Sequence, residues 1–169
     1  MDSSLSFNNK SKTLFREHIY TPDWVLTFVP SAQLELAKEY LLSKGFNIEE
    51  DNYVRSSING VSACEKKRAN ELNKAIANKD IKALIACSGG DFLIQILDLI
   101  NFNKIKKNTK WIQGQSDITS LLYYITTKLD IATIYSYNVK NFGNRNINET
   151  MLENNVSFLR NEPVIQKEY

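Results

Sequence analysis

An apolar run at residues 81–87, interrupted only by Lys82, narrows the folds that are open to this chain. The run has the length of a strand, and strands that are apolar on both faces occur in parallel sheets covered by helices. It ends in the loop Ser88-Gly89-Gly90-Asp91. The run therefore predicts a central parallel strand whose carboxyl end opens into a glycine-rich turn.

Further strand patterns alternate with helical patterns along the chain. The other predicted strands are residues 24–29, 46–49, 110–113 and 131–135. Apolar residues three and four apart predict helices, and the stripes are Leu34, Ala37 and Leu41, then Ala69, Leu72 and Ile76, then Ile118, Leu121, Leu122, Ile125 and Leu129. Residues 92–100 are apolar nearly all round and predict another helix. This alternation predicts an α/β fold, flavodoxin-like or Rossmann-like, with a mostly parallel sheet and helices on both faces.

Local signals predict where some of these elements begin and end. Ser62 and Glu65 have the spacing of a capping box, which predicts the start of the second helix. Gly45 predicts the end of the first helix. The chain divides into a polar leader at 1–22, an α/β domain at 23–140, and an Asn-rich tail or start of a linker to an absent C-terminal domain at 141–169. Within that tail, one more short helix is predicted from Leu152, Val156 and Leu159.

Composition excludes several classes of function. Twenty-one basic and nineteen acidic residues give a net charge of +2 without a basic, aromatic-interleaved stretch, so no nucleic-acid partner is expected. The apolar runs are too short to cross a membrane, and the polar start lacks the apolar segment of a signal peptide. Cys64 and Cys87 have no metal-site spacing. We therefore expect a cytoplasmic protein with reduced thiols, no membrane contact and no metal.

The segment at residues 111–119 has the pattern of a nucleophile elbow, which is a strand, a tight turn and a helix. Gly114 stands two residues before Ser116, and Ile118 replaces the second glycine of the common G-x-S-x-G pattern. Such a turn exposes the serine oxygen and lets backbone donors stabilise an oxyanion. Alternatively, Ser116 only caps the following helix, with Asp117 at its positive end. The Gly89-Gly90 turn likewise either connects strand to helix or lets backbone donors approach a ligand.

Beyond these local patterns, the chain resembles the LD-carboxypeptidases of cell-wall recycling and their relatives that confer immunity to microcin C. The resemblance runs from about residue 24 to residue 137 and depends on the order of its motifs. In chain order these are residues 42–46 (LSKGF), residues 65–72 (EKKRANEL), residues 81–84 (IKAL), Gly89-Gly90, Leu97-Asp98 and Gly114-Gln115-Ser116-Asp117-Ile118-Thr119. The last of these is similar to the family's Gly-Tyr-Ser-Asp motif.

The resemblance implies the N-terminal half of a serine-type LD-carboxypeptidase. Such an enzyme hydrolyses an L-D peptide bond in a muropeptide, or a microcin C-like amide, without a metal or organic cofactor. Ser116 would be the nucleophile, the backbone of Asp117, Gly89 and Gly90 would form the oxyanion hole, and Asp91 and Gln115 would help bind the peptide substrate. Family members often pair, which leaves a homodimer open.

The resemblance also implies that part of the catalytic machinery is missing. A serine needs a base to accept its proton, and the family's catalytic Glu and His come from a second domain. The chain has one histidine, His18, which lies upstream of the first predicted strand in the polar leader. We expect it to be a solvated side chain, and we expect the isolated chain to be inactive.

Two other functions compete with the serine peptidase. A truncated domain or binding module has the same fold and no activity. A nucleotide kinase with a Gly-Gly-Asp phosphate loop predicts nucleotide binding, although Phe92 and Leu93 replace the further Gly and Thr of such loops. Two departures from the family affect the substrate loop, namely the pair Asp91-Phe92 and the stretch Tyr135-Ser136-Tyr137 in place of a Gly-Pro turn.

Overall fold

Five strands within the described residues form one parallel sheet. The structure is a computed structural model that describes the backbone of residues 17–21, and residues 31–56 and 61–164 in full. The strands are β1 (Glu17–Thr21), β2 (Phe46–Glu50), β3 (Ile81–Ile85), β4 (Trp111–Gly114) and β5 (Ile134–Tyr135). They lie in the order β2-β1-β3-β4-β5, with each neighbouring pair parallel. This order is that of the flavodoxin-like fold, one of the two predicted alternatives.

Six α-helices lie in the part of the chain that the structure describes. They are α1 (Ser31–Ser43), α2 (Glu65–Ala77), α3 (Phe102–Lys107), α4 (Thr119–Leu129), α5 (Val139–Phe142) and α6 (Glu149–Leu159). The predicted apolar stripes of α1, α2, α4 and α6 are confirmed, because nearly all their residues are buried. Gly45 ends α1 with a positive φ of 88°, as its position predicts. The short helices α3 and α5 were not predicted.

The segment predicted as a helix at residues 92–100 forms a 3₁₀-helix, Leu93–Leu99, instead of an α-helix. Its two buried side chains, Leu93 and Ile96, are three residues apart, and a period of three places them on one face. Ile94 and Leu99 are exposed. An apolar composition all round therefore did not mean burial all round.

Two apolar cores cover the two faces of the sheet. One packs α2, α3, α4 and the 3₁₀-helix against one face, and the other packs α1, α5 and α6 against the opposite face. Successive residues of β3 alternate between them, since Leu84 belongs to the first core and Ile85 to the second. Each fully buried aliphatic side chain stabilises the fold by about 1.5–3 kcal/mol. The prediction of helices on both faces is confirmed.

Two local predictions need correction. β1 lies within the predicted polar leader, and the strand predicted at residues 24–29 falls outside the described residues. The sequence of β1, EHIYT, begins with two polar residues and ends in threonine, so it lacked the continuous apolar run that marked β3. The capping box is also wrong, because Cys64 is the N-cap of α2 and makes no side-chain cap hydrogen bond. Glu65 is consequently the first residue of the helix, where its charge favours the helix dipole.

The parallel arrangement brings three loops to one edge of the sheet. Backbone hydrogen bonds continue the sheet past the ends of β3 and β5, from Ala86 N to Gln113 O at 3.0 Å and from Ser136 N to Gly114 O at 3.2 Å. The loops that follow β3, β4 and β5 therefore meet there, as parallel strands require. Among the residues described, no helix is both long and apolar enough to cross a membrane.

Candidate active site

Ser116 lies on a strained turn between a strand and a helix. β4 ends at Gly114, a short 3₁₀ turn covers Ser116–Ile118, and α4 begins at Thr119. Ser116 is exposed and has φ of 76°, a left-handed conformation that costs a residue with a side chain about 1–2 kcal/mol. Backbone strain of this kind is typical of a nucleophile elbow. The predicted order of strand, tight turn and helix is thus present.

The hydroxyl of Ser116 does not cap α4. The N-cap position of α4 is Ile118, which makes no side-chain cap hydrogen bond, and Gln115 makes none at the start of the 3₁₀ turn. Other hydroxyls bond the backbone here: Thr119 Oγ1 donates to Ser116 O at 2.5 Å and Ser120 Oγ to Asp117 O at 2.6 Å. The alternative prediction, in which Ser116 serves only as a helix cap, is therefore wrong.

Gly114 is required by the close packing beneath the elbow. A Cβ at this position would lie 2.8 Å from Ile118 Cγ2, 2.9 Å from Ala86 Cβ and 2.9 Å from Asn138 Oδ1. Ile118 is fully buried. The residue that departs from the G-x-S-x-G pattern thus fills the core under the turn, in contact with the glycine that the pattern keeps.

The glycine turn after β3 lies directly against Ser116. A Cβ on Gly89 would be 2.5 Å from Ser116 Cβ and 2.7 Å from Ser116 Oγ, so only glycine allows this approach. The two turns that stood out in the sequence, 27 positions apart, are therefore in contact. This is the arrangement that an oxyanion hole shared between them requires.

Asn138 holds the elbow from the side of β5. Its side chain is buried and forms two hydrogen bonds with the backbone of Gln115, as acceptor from N at 2.9 Å and as donor to O at 3.3 Å. The backbone N–H of Asn138 in turn donates to Asn141 Oδ1 at 3.0 Å. The sequence did not single out Asn138, because it stands in a stretch that also contains Asn141 and Asn144 and no local pattern distinguishes it.

The Asp117 side chain bonds the start of the 3₁₀-helix. Its Oδ2 accepts from Leu93 N at 3.0 Å, and its Oδ1 is buried without a partner in the described structure. Burial raises the pKa of Asp117, which hydrogen bonds from the backbone of Leu93 and Phe92 partly offset. Because the Leu93 N–H is engaged by a carboxylate, the loop cannot present this donor to a phosphate, which counts against the kinase alternative.

An open cleft of about 500 Å³ contains most of the predicted site. Its lining residues are Gly89, Gly90, Asp91, Gln115, Ser116, Tyr135, Asn138 and Lys140. Five of the six predicted site residues thus line one cavity, and the sixth, Asp117, directly follows Ser116 in the chain. Lys140 was not predicted; it lies on α5, two residues after the N-cap Asn138. Hydrogen bonds from Val139 N to Ala86 O and from Lys140 N to Cys87 O fix the start of this helix. A second cavity of about 450 Å³, which includes Trp111 and Phe158, lies along β5.

The lining of the site cleft offers no histidine as a base for Ser116. His18 lies in β1, and its backbone is level with Ile81 at the start of β3. The four residue steps from Ile81 to Ile85 alone span about 13 Å at a rise of about 3.3 Å per residue. A general base must come within hydrogen-bonding distance of its proton, so His18 cannot serve Ser116 of the same chain. In the described residues, no group of three His, Cys, Asp or Glu side chains is arranged to hold a metal.

Relatives of known sequence support the family that the motifs indicated. Residues 19–136 match the family model of the LD-carboxypeptidase N-terminal domain. A predicted carboxypeptidase of Treponema pallidum is 30% identical over 125 residues, covering 74% of this chain and 37% of that protein. The microcin C7 self-immunity protein MccF of Escherichia coli is 33% identical over 97 residues, covering 57% of this chain and 28% of that protein. The match spans less than half the length of the curated relatives.

Solved structures of the family share the fold. The microcin C7 self-immunity protein MccF in complex with aspartyl sulfamoyl adenosine superposes with a TM-score of 0.78 at 26% identity, covering 85% of this chain and 44% of that chain. The muramoyltetrapeptide carboxypeptidase of Oxalobacter formigenes has a TM-score of 0.74 at 22% identity over 83% of this chain and 47% of that chain, which shows the fold alone. The chain belongs to the LD-carboxypeptidase family, and the part that matches is the family's N-terminal domain.

Proposed function

We propose that this chain is the nucleophile-bearing half of a serine-type LD-carboxypeptidase, with Ser116 as the nucleophile. The substrate class is a small peptide with an L-D bond, such as a muropeptide, or a microcin C-like amide, met in the cytoplasm. The single observation that carries the proposal is the exposed Ser116 at φ of 76°, held against Gly89 at the carboxyl edge of a parallel sheet. A helix-capping serine would need neither the strain nor the glycine.

The proposed reaction follows from this geometry. Ser116 Oγ attacks the carbonyl carbon of the scissile bond while its proton passes to a base, and the carbonyl oxygen becomes an oxyanion. Backbone N–H groups of Asp117 and of the Gly89-Gly90 turn lie at the same edge and would stabilise that charge. The C–N bond then breaks, the leaving amine takes the proton from the base, and water hydrolyses the acyl-enzyme in a second passage through the same steps.

The base, in this proposal, comes from outside the described residues. The ionisable side chains among the residues that line the cleft are Asp91, Tyr135 and Lys140, and none bonds Ser116. The curated relatives are more than twice as long as the matched segment. A second domain that supplies Glu and His, as the family resemblance implies, would complete the site over the open cleft.

The test is release of D-alanine from a tetrapeptide muropeptide, measured by mass spectrometry. The samples are the chain alone, the chain mixed with the second domain of a family member, and the same mixture with Ser116→Ala. Ser43→Ala, which removes a hydroxyl bonded to Tyr40 O at the far end of α1, is the matched control. We expect release only from mixtures that retain Ser116, including the control. Equal release with and without Ser116 would overturn the proposal.

A non-catalytic binding module is the second candidate, and the lack of a histidine in the cleft lining favours it. It predicts that the chain binds the muropeptide without hydrolysing it, in every mixture. Titration of the unhydrolysed peptide, followed by the amide signals of Gly89 and Gly90, separates the two functions. Binding without turnover in any mixture would support the module.

A further inference from the structure

One peptide group beside the cleft is held by two oppositely charged side chains. The carbonyl of Phe92 accepts a hydrogen bond from Arg68 Nη1 at 3.3 Å, and the next atom along the chain, Leu93 N, donates to Asp117 Oδ2 at 3.0 Å. Both bonds act on the peptide that joins Phe92 to Leu93. This peptide marks the end of the turn at residues 89–92 and the start of the 3₁₀-helix.

Arg68 is placed for this contact by its own fixed surroundings. It lies in the first turn of α2 and is 1% exposed. Its Nε donates to Ala63 O at 3.1 Å and its Nη2 to Gln95 Oε1 at 2.7 Å. A buried guanidinium loses its hydration at considerable cost in free energy. These hydrogen bonds compensate for that loss only while the planar guanidinium group stays in this orientation.

Asp117 connects the same peptide to the nucleophile. It follows Ser116 directly in the chain, so its side chain ties the elbow to the opposite turn. Burial is the largest effect on the pKa of Asp117 and raises it, whereas the positive charge of Arg68 lowers it only slightly. Arg68 and Asp117 are therefore connected mainly by the peptide that both bond, Arg68 at its C=O and Asp117 at its N–H.

We propose that Arg68 is a positioning residue: with Asp117 it clamps the Phe92–Leu93 peptide and thereby fixes the Gly89-Gly90 turn against Ser116. This clamp rests on the proposed function, since it matters for chemistry only if the turn supplies oxyanion donors. Oxyanion donors must be placed within a fraction of an ångström, and the turn already approaches Ser116 closely enough to exclude a Cβ at Gly89. Lysine lacks the planar fork and cannot bond Ala63, Phe92 and Gln95 together.

The test is amide NMR of the full chain, which does not depend on hydrolysis. In Arg68→Gln we expect hydrogen exchange of the Leu93 amide to speed up about tenfold or more, because the peptide loses a charge-assisted bond. We also expect the Gly89 and Gly90 amide signals to move. In Arg68→Lys we expect the same fast exchange at Leu93 and the same shifted Gly89 and Gly90 signals as in Arg68→Gln. Unchanged signals at Gly89, Gly90 and Leu93 in Arg68→Gln would overturn the clamp.

Two controls separate positioning from general loss of stability. Arg55→Gln removes an exposed arginine that bonds Glu50 and Glu35. Ile76→Val weakens the packing of α2, the helix that carries Arg68, against the core. Both should leave the Gly89 and Gly90 signals in place. If Arg68→Gln does not fold, Asp117→Asn takes its role, because it removes the negative partner while keeping the size. An Asp117→Asn chain with unshifted Leu93, Gly89 and Gly90 signals would likewise contradict the clamp.

Turnover adds a second readout where the mixture with a family second domain is active. Arg68→Gln should lower kcat about tenfold or more and change KM little, because oxyanion donors act mainly in the transition state. Ser116→Ala should abolish turnover and leave the Leu93 amide protected. The clamp can therefore hold when the peptidase proposal fails, and the peptidase proposal can hold when the clamp fails.

Discussion

Ser116 shows how a single residue can carry strain that its neighbours maintain. Its positive φ is unfavourable for any residue with a Cβ, yet the turn is fixed by Gly114 and Ile118 beneath it and by Asn138 beside it. The energy of that packing holds the serine in this strained and exposed position. The strain therefore belongs to the elbow, and a substitution that relieves it should raise the free energy of unfolding.

We expect Ser116→Gly to be more stable than Ser116→Ala by about 1 kcal/mol, because glycine adopts a positive φ without the steric cost. The measurement is urea denaturation of both variants at pH 7. Ser157, inside α6, is the matched control, since alanine should be favoured over glycine there by about 1 kcal/mol. The same order of stability at both positions would show that Ser116 is not strained.

At the scale of elements, α5 fixes the elbow through Asn138. We expect Asn138→Ala to lower the free energy of unfolding by about 1–3 kcal/mol, because it leaves the N–H and C=O of Gln115 without partners in a half-buried turn. Asn144→Ala, which removes one exposed bond to the N–H of Asn146, should cost less than about 0.5 kcal/mol. Thermal or urea denaturation of the two variants measures the difference. An equal loss of free energy of unfolding in both would contradict the role of Asn138.

The carboxyl end of α2 is held by a buried lysine from the start of β4. Lys110 Nζ donates to Ala75 O at 2.9 Å and to Asn78 O at 2.7 Å. Burial, with a smaller effect from Lys82, lowers the pKa of Lys110 to about 8. Between that value and the usual pKa the unfolded chain binds more protons than the folded chain, so stability from this group rises with pH.

We therefore expect the free energy of unfolding of the parent chain, relative to Lys110→Met, to increase from pH 7.5 to pH 10. Urea denaturation at the two pH values measures it. Lys128→Met is the control, because Lys128 is exposed and its loss should leave the pH dependence of the parent unchanged. A constant difference between the parent and Lys110→Met would show that burial does not perturb this lysine.

At the scale of the whole molecule, the sheet separates two cores that should act independently. Ile85 belongs to the core of α1, α5 and α6, and Ile125 belongs to the core of α2, α3 and α4. We expect Ile85→Val and Ile125→Val each to cost about 0.5–1.5 kcal/mol and to add within about 0.5 kcal/mol in the double variant. The free energies come from urea denaturation of all four chains. Strong non-additivity would mean that the sheet transmits packing between its faces.

Much of the fold follows from local pattern. The apolar stripes of α1, α2 and α4 and the apolar run of β3 are visible along the chain, because burial on a helix or in a parallel sheet imposes a period on the residues. β1 was not predicted, because its five residues lie in a stretch whose polar composition predicted a leader. α5 and the 3₁₀ form of Leu93–Leu99 were not predicted either, because the conformation of a short helix depends on the residues that it packs against.

Local patterns along the chain were enough to predict the α/β class, the strand, turn and helix around Ser116 and, through the order of the motifs, the family. The folded structure was needed to show that Gly89 lies against Ser116, that Asn138 bonds Gln115, and that Arg68 and Asp117 bond one peptide. It also showed that His18 lies in β1, level with the start of β3. The reason is that periodicity and turn chemistry act between near neighbours along the chain, whereas a site is made by loops that parallel strands bring together from distant positions.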